Sequence, residues 1–329
     1  MQMQLPKAVA IGEVSVRDGL QHEETFIPTE TKIYLIEALA DAGYRHIEAT
    51  SFANPRYVPQ FRDCDEVLKR IKRRPGITYS TVTMTEKSVE RACEARRQGW
   101  GPDKIVCMIS TSESHNQRNA GQKHADHWPL LAQWVKMAHD ARIIFNGTIG
   151  TIWGCPIEGP LPLQRAYEFV DRFFQMGADE IEYGDTTGEG TPNRAFEFYS
   201  TVLDRYPDKN AHVAHFHESR GWGLANCLAA LQAGVTRFES SLGGIGGQPA
   251  SMIDRVPIAG TGALYTPSDI TGNVRTEDLV VMVDEMGIDT GLDVDRVLAI
   301  GRLMERILGR RLRSYCTQTG RIPKQHTGR

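Results

Sequence analysis

A (β/α)8 TIM barrel with an additional C-terminal helix is the fold class predicted for this 329-residue sequence, and three observations carry the prediction. Eight short runs rich in β-branched residues recur along the chain. Longer stretches with helical spacing of apolar residues separate them, and such alternation favours a parallel barrel. The first run is followed by Arg-Asp-Gly-Leu-Gln. A doubly wound nucleotide-binding sheet would instead place a Gly-x-Gly-x-x-Gly turn there.

In chain order the strands read VAIGEVSV, RHIEAT, ITYSTVT, KIVCMIS, RIIFNGTIGTI, EIEYGD, HVAHFH and RFESS. The stretch TETKIYLIEALADAG puts Ile33, Ile36, Leu39 and Ala40 on one stripe, opens after Pro28-Thr29 and stops at Gly43, the start and stop chemistry of a helix. LPLQRAYEFVDRFFQMG and ESRGWGLANCLAALQAG repeat the pattern and also end in glycine. The glycine cluster from Gly243 to Gly247 follows the eighth strand and is expected to be a mobile loop. Beyond Asn273, TEDLVVMVDEMG and DVDRVLAIGRLMERILG read as the last barrel helix and the added terminal one. Residues 1–312 are assigned to one barrel domain including these helices, and 313–329 to a polar tail.

Bulk composition narrows the function classes. Hydrophobic residues make up 40% and charged residues 24% of the chain, the balance of a soluble globular protein. A net charge of -3 gives no electrostatic case for nucleic acid or an anionic membrane as partner. No apolar stretch reaches the roughly 20 residues that span a bilayer, and MQMQLPKAVA lacks the pattern of a secretory signal. The six cysteines are irregularly spaced with no Cys-x-x-Cys pair. A reducing cytoplasm is therefore the expected compartment. The apolar stripe of the terminal helix fits either a homodimer contact or core packing.

The chemistry concentrates where strands end, the active-site face of such a barrel. The seventh strand ends in His215-Phe216-His217, and residues i and i+2 of a strand share a face. Both imidazoles can therefore reach one divalent ion. The first strand is expected to deliver Arg17 and Asp18 at its tip, with Gln21 just beyond. Arg17 then points to the opposite face unless the strand end bends. Glu48 and Ser51 end the second strand, Asp185 and Thr186 the sixth, and Thr148 lies inside the fifth. Asp18 with the two histidines makes an oxygen–nitrogen donor set without thiolate, which suits Mg²⁺ or Mn²⁺; zinc stays open.

The runs VSVRDGLQHE, IEATSFANPRYVPQF, YGDTTGEGTP, HFHESRGWGLANCLAALQAGV and GNVRTEDLV together resemble 3-hydroxy-3-methylglutaryl-CoA lyase, in order and over nearly the whole chain. The resemblance implies a metal-dependent barrel enzyme acting on an acyl-CoA thioester by reverse Claisen cleavage, giving acetyl-CoA and a keto acid. It implies Asp18, His215, His217 and Asn273 as metal ligands and Arg17 against the thioester oxygen. Glu48 and Asp185 match acidic positions around the site, with Asp185 or a water as base. Glu277 matches the glutamate after the asparagine. Gln21, Ser51, Thr148, Gln248 and Glu277 are the expected substrate contacts.

The chain departs from that family in three places. Gln248 stands where the lid cysteine is expected, and Thr148 where a tyrosine is expected. The segment from Gln248 to Asn273 is longer. Cys155, in Gly-Cys-Pro, is given a structural role. A lyase for a related 3-hydroxy-3-alkylglutaryl-CoA is therefore expected. The alternatives are a citramalyl-CoA-type lyase, a synthase condensing acetyl-CoA with a 2-keto acid, and a barrel that binds without catalysis.

Overall fold

In the computed structural model, residues 5–247, 251–253, 256–258 and 272–322 are described. Eight parallel strands close into a barrel. They are β1 (Ala10–Glu13), β2 (His46–Ser51), β3 (Thr78–Val82), β4 (Lys104–Ser110), β5 (Ile144–Gly150), β6 (Glu180–Asp185), β7 (His212–Phe216) and β8 (Arg237–Ser240). The barrel closes where β1 pairs with β8, Glu13 opposite Ser240. The helices are α1 (Thr29–Asp41), α2 (Cys64–Arg70), α3 (Glu86–Arg97), α4 (Glu113–Ala120), α5 (His124–Asp140), α6 (Leu163–Gln175), α7 (Pro192–Arg205), α8 (Gly223–Ala233), α9 (Thr276–Glu285), α10 (Val294–Leu308) and α11 (Tyr315–Thr319). All eight expected strands and both C-terminal helices form.

Strand parity divides the residues between two environments. Outward side chains such as Ile11, Ile47, Ile105, Phe145, Ile181, Tyr183, Ala214 and Phe238 are buried under the helices as the main apolar core. Gly147 allows the closest approach: a Cβ there would lie 2.4 Å from the Phe173 ring of α6. Inward side chains are polar. At the strand starts, Glu180 Oε2 accepts from Lys104 Nζ (3.0 Å) and Glu180 Oε1 from Arg237 Nη1 (2.8 Å). Burial opposes the Glu180 charge, but these two cations hold its pKa down at about 2. This paired layer closes the barrel floor, because buried charge is tolerable only when paired. Among the described residues no helix is long and apolar enough to cross a membrane.

Of the two readings of the α10 stripe, core packing holds: Val297, Leu298, Ile300 and Met304 are buried within the chain. One expectation is corrected at the C-terminal end. The stretch assigned as a polar tail begins with folded structure. Ser314 caps α11 through Thr317 N, and its hydroxyl donates to Asp278 Oδ1 at 2.9 Å.

Candidate active site

Arg17 and Asp18 do not sit on a strand. Strand β1 ends at Glu13, and Ser15–Gly19 forms one wide π-helical turn. The amides of Arg17, Asp18 and Gly19 all converge on the Val14 carbonyl. The turn swings Arg17 onto the same side as Asp18, which a regular strand could not do. Arg17 Nε donates to Glu48 Oε1. Its Nη1 donates to Asp18 Oδ1 at 3.0 Å and to Gln21 Oε1 at 3.4 Å. Burial opposes the guanidinium charge, but Glu48 and Asp18 keep it firmly protonated. The Glu48 carboxyl is pushed up to about 7, by burial against the pull of Arg17. Its Oε2 is buried without a hydrogen-bond partner among the described residues.

The two histidines meet as their spacing requires. His215 Nε2 lies 3.1 Å from His217 Nε2. His217 Nδ1 is 2.9 Å from the Thr186 carbonyl, an acceptor only, so Nδ1 carries the proton and Nε2 the lone pair. His215 Nδ1 faces Glu239 Oε2 at 3.2 Å and Glu182 Oε1 at 3.6 Å. An acceptor behind each ligating ring, carboxylates for His215 and a backbone carbonyl for His217, fixes its tautomer and raises its basicity. Both Nε2 atoms thus turn toward one point. Burial lowers the basicity of His215, yet Glu239, Glu182 and Asp18 carry its pKa up to about 9. Burial and the charge on His215 push His217 down to about 4. The two Nε2 atoms face each other across the place a cation would take.

The carboxamide arrives from the chain's far end. Segment 272–276 threads between β7 and β8, with Asn273 bridged to His217 and Arg275 to Ser241. Asn273 Nδ2 donates to Asp18 Oδ2 and, at 3.2 Å, to the Ile245 carbonyl. Its Oδ1 is buried with no partner among the described residues. Ligand atoms of Asp18, His215 and His217 lie within 4.8 Å of one another. Burial raises the Asp18 pKa, but Arg17 and the histidines pull it down to about 2. An ionised carboxylate, two facing imine nitrogens and an orphaned amide oxygen make a donor set that fits a hard or borderline divalent ion.

The glycine turn is packed rather than loose. Leu242, Gly243 and Gly244 are buried, and Gly246 has φ +84 with room for no Cβ, which would lie 2.7 Å from the Asp18 carbonyl oxygen. Gly247 N donates to Asp18 Oδ2 at 3.2 Å. The expectation of a mobile loop therefore fails for residues up to Gly247. Gln248 lies outside the described residues.

Other expected residues are placed elsewhere. Asp185 faces out of the barrel, and its carboxylate accepts from Glu189 N (3.0 Å) and Gly190 N (3.1 Å). Burial pushes its pKa up to about 7. It holds the loop after β6 and does not join the cluster. Glu277 lies behind the glycine turn, accepting from Gly243 N at 2.8 and 3.0 Å. Ser51 Oγ accepts from Ala53 N at 3.1 Å. Thr148 is buried on the inner wall opposite Glu182. Cys155 is buried and accepts from the amides of Ile157 and Glu158, both at 3.3 Å, a structural role. Sequence reasoning missed Glu182 and Glu239. The signal was present in EIEYGD and RFESS, where each shares inward parity with a charged residue two places earlier.

The HMGL-like family pattern matches residues 8–304. The chain belongs to the HMGL-like family. It is 34% identical over 312 residues to hydroxymethylglutaryl-CoA lyase YngG of Bacillus subtilis, covering 95% of this chain and 97% of that one. It is 37% identical over 314 residues to the mitochondrial hydroxymethylglutaryl-CoA lyase of Homo sapiens, covering 95% and 90%. Among solved structures, an HMG-CoA lyase from Acinetobacter baumannii in complex with coenzyme A and 3-methylmalate superposes with a TM-score of 0.86 at 34% identity, covering 97% of each chain. The carboxyl transferase domain of Rhizobium etli pyruvate carboxylase, at 16% identity and TM-score 0.64, shares the fold alone. This HMGL-like chain is a carbon–carbon lyase.

Proposed function

We propose that this lyase cleaves a 3-hydroxy-3-alkylglutaryl-CoA or close relative into acetyl-CoA and a keto acid, with a divalent ion held by Asp18, His215, His217 and Asn273. The observation that carries the reading is the convergence of Asp18 and the two Nε2 atoms on one point, with the Asn273 carboxamide bonded to Asp18 beside them and its Oδ1 left unpartnered. A bound Mg²⁺ or Mn²⁺ would supply Lewis-acid polarisation of the substrate's oxygens.

The chain's own residues account for the rest of the reaction. The substrate's 3-hydroxyl must lose its proton while the bond between C2 and C3 breaks. The electron pair passes to C2 and the thioester oxygen as an enolate, C3 becomes the keto carbon, and C2 then takes a proton. Arg17 is a permanent cation, pre-aimed by Glu48 and Asp18, for the charge that grows on the thioester oxygen. Glu48, with a pKa near 7 and a free Oε2, is the carboxylate suited to accept the proton. Asp185 is replaced in that role because its oxygens face backbone amides.

Coenzyme A as the carrier is supported by the related HMG-CoA lyase of Acinetobacter baumannii, whose structure is a complex with coenzyme A; in this chain a shallow, open groove at the end of α10 is lined by Arg302, Arg306, Arg310 and Arg311 together with Glu305. Arg310 pairs with Glu23, just after the Arg17–Asp18 turn, and Arg313 donates to the Gly244 carbonyl, so the groove opens beside the barrel mouth. With Arg310 already paired to Glu23, Arg302, Arg306 and Arg311 are the cationic groups there that suit the phosphates of a CoA thioester. All six cysteines are unpaired, which supports a cytoplasmic setting.

The test is to mix purified protein and Mg²⁺ or Mn²⁺ with 3-hydroxy-3-alkylglutaryl-CoA and citramalyl-CoA thioesters, following acetyl-CoA and keto acid. Cleavage of at least one, lost on chelation, is expected. The reading fails if none is cleaved, or if only condensation of acetyl-CoA with 2-keto acids is seen.

A further inference from the structure

We infer that Glu13, a buried carboxyl on the outer face of β1, is a positioning residue that sets the geometry of Asp18 and Asn273 for metal binding. Glu13 is fully buried and touches none of the reacting groups. Its Oε1 accepts from Ser15 N at 2.9 Å and from Leu242 N at 3.1 Å. Its Oε2 accepts from Thr276 Oγ1 at 2.7 Å. Ser240 Oγ, 2.8 Å from Thr276 Oγ1, completes the set; Thr276 has one proton to give, so here the Ser240 hydroxyl donates to it.

Each partner opens a segment that carries or holds a ligand. Ser15 begins the turn that presents Arg17 and Asp18. Leu242 begins the glycine turn, whose Ile245 carbonyl accepts from Asn273 Nδ2 and whose Gly247 amide donates to Asp18 Oδ2, both at 3.2 Å. Thr276 opens α9, three residues after Asn273. One side chain therefore spans all three segments that converge on the aspartate and the carboxamide. The two histidines hang on β7 and do not depend on it.

The work is done by hydrogen-bond acceptance rather than by charge. A glutamine fits the same space: its Oε1 can accept from both amides, and its Nε2–H can donate to Thr276 Oγ1, which turns its own proton to Ser240. Leucine has the same bulk but leaves two buried amides unpaired and Thr276 Oγ1 with Ser240 Oγ alone. Glu13→Gln is thus expected to keep the metal site, and Glu13→Leu to loosen it.

The inference rests on the metal reading above, and titration calorimetry with Mn²⁺ on the full chain separates the two. Wild type is expected to bind one Mn²⁺ and Glu13→Gln to bind within about threefold of it. Glu13→Leu, measured cold where circular dichroism shows it folded, is expected to bind about 10–100-fold more weakly, the usual effect of losing such a support. Should the leucine variant not fold, Glu13→Asp, one methylene too short to reach all three donors, is expected to weaken binding about tenfold and takes its place. Equal affinity in the leucine or aspartate variant, or a loss in Glu13→Gln as large as theirs, overturns the inference. A wild type that binds no Mn²⁺ overturns the metal reading and this inference with it.

Discussion

Arg17 is held from two sides, by Glu48 and by Asp18, so its charge is fixed in place before a thioester arrives. Replacing Arg17 with glutamine removes the cation and keeps a donor. Turnover is expected to fall about 10²–10³-fold, the cost of losing one pre-aimed donor to a developing oxyanion, with Mn²⁺ affinity changed far less. Steady-state kinetics beside calorimetry check this, and a fall under about threefold contradicts the role. The histidine pair was legible in the sequence because period two is a rigid property of strands. Asp185 was misplaced for want of the same argument: Glu180, Glu182 and Gly184 share inward parity, so Asp185 must face out. Glu277 could not be placed from sequence. An acid in the first turn of a helix reads as a partner of the helix dipole, whereas its amide partner Gly243 is 34 positions away.

At the scale of elements, the eight strands and the helices between them followed from periodicity and from glycine stops, while the junctions did not. Nothing in VSVRDG announces a π-helical turn, because that turn is fixed by contacts with β2 and the glycine turn rather than by local preference. The glycine cluster looked mobile in composition alone. In the fold it is tightly packed, and its glycines answer to approach as well as to backbone angle. Gly246→Ala combines a left-handed φ of +84 with a Cβ that would lie 2.7 Å from the Asp18 carbonyl oxygen. The variant is expected to lose at least about 1 kcal/mol of stability and most of its activity. Thermal melts and turnover check this, and an unchanged variant contradicts the packing described.

For the whole molecule, charge has been taken inside the barrel on a large scale, and pH should reveal it. Burial pushes the Glu13 pKa from 4.5 up to about 7. A carboxyl raised on folding contributes stability that is complete below its unfolded pKa and lost as pH rises through the folded value. Glu13→Gln does not titrate. Measured without metal, its stability relative to wild type is therefore expected to improve by about 1–2 kcal/mol between pH 6 and pH 8.5. A constant difference across that window contradicts the buried, titrating carboxyl. The closed barrel and its polar interior also bear on the ion proposed where the strands end. The floor is neutralised by Lys104 and Arg237, but the mouth gathers Asp18, Glu48, Glu182 and Glu239 around Arg17 and two imidazoles. Anomalous diffraction from crystals of the chain soaked in Mn²⁺ tests that most directly. The expected result is one strong peak about 2.0–2.3 Å from Asp18, His215 Nε2, His217 Nε2 and Asn273 Oδ1. A peak seated instead between Glu182 and Glu239, or no peak at the mouth, would contradict the account.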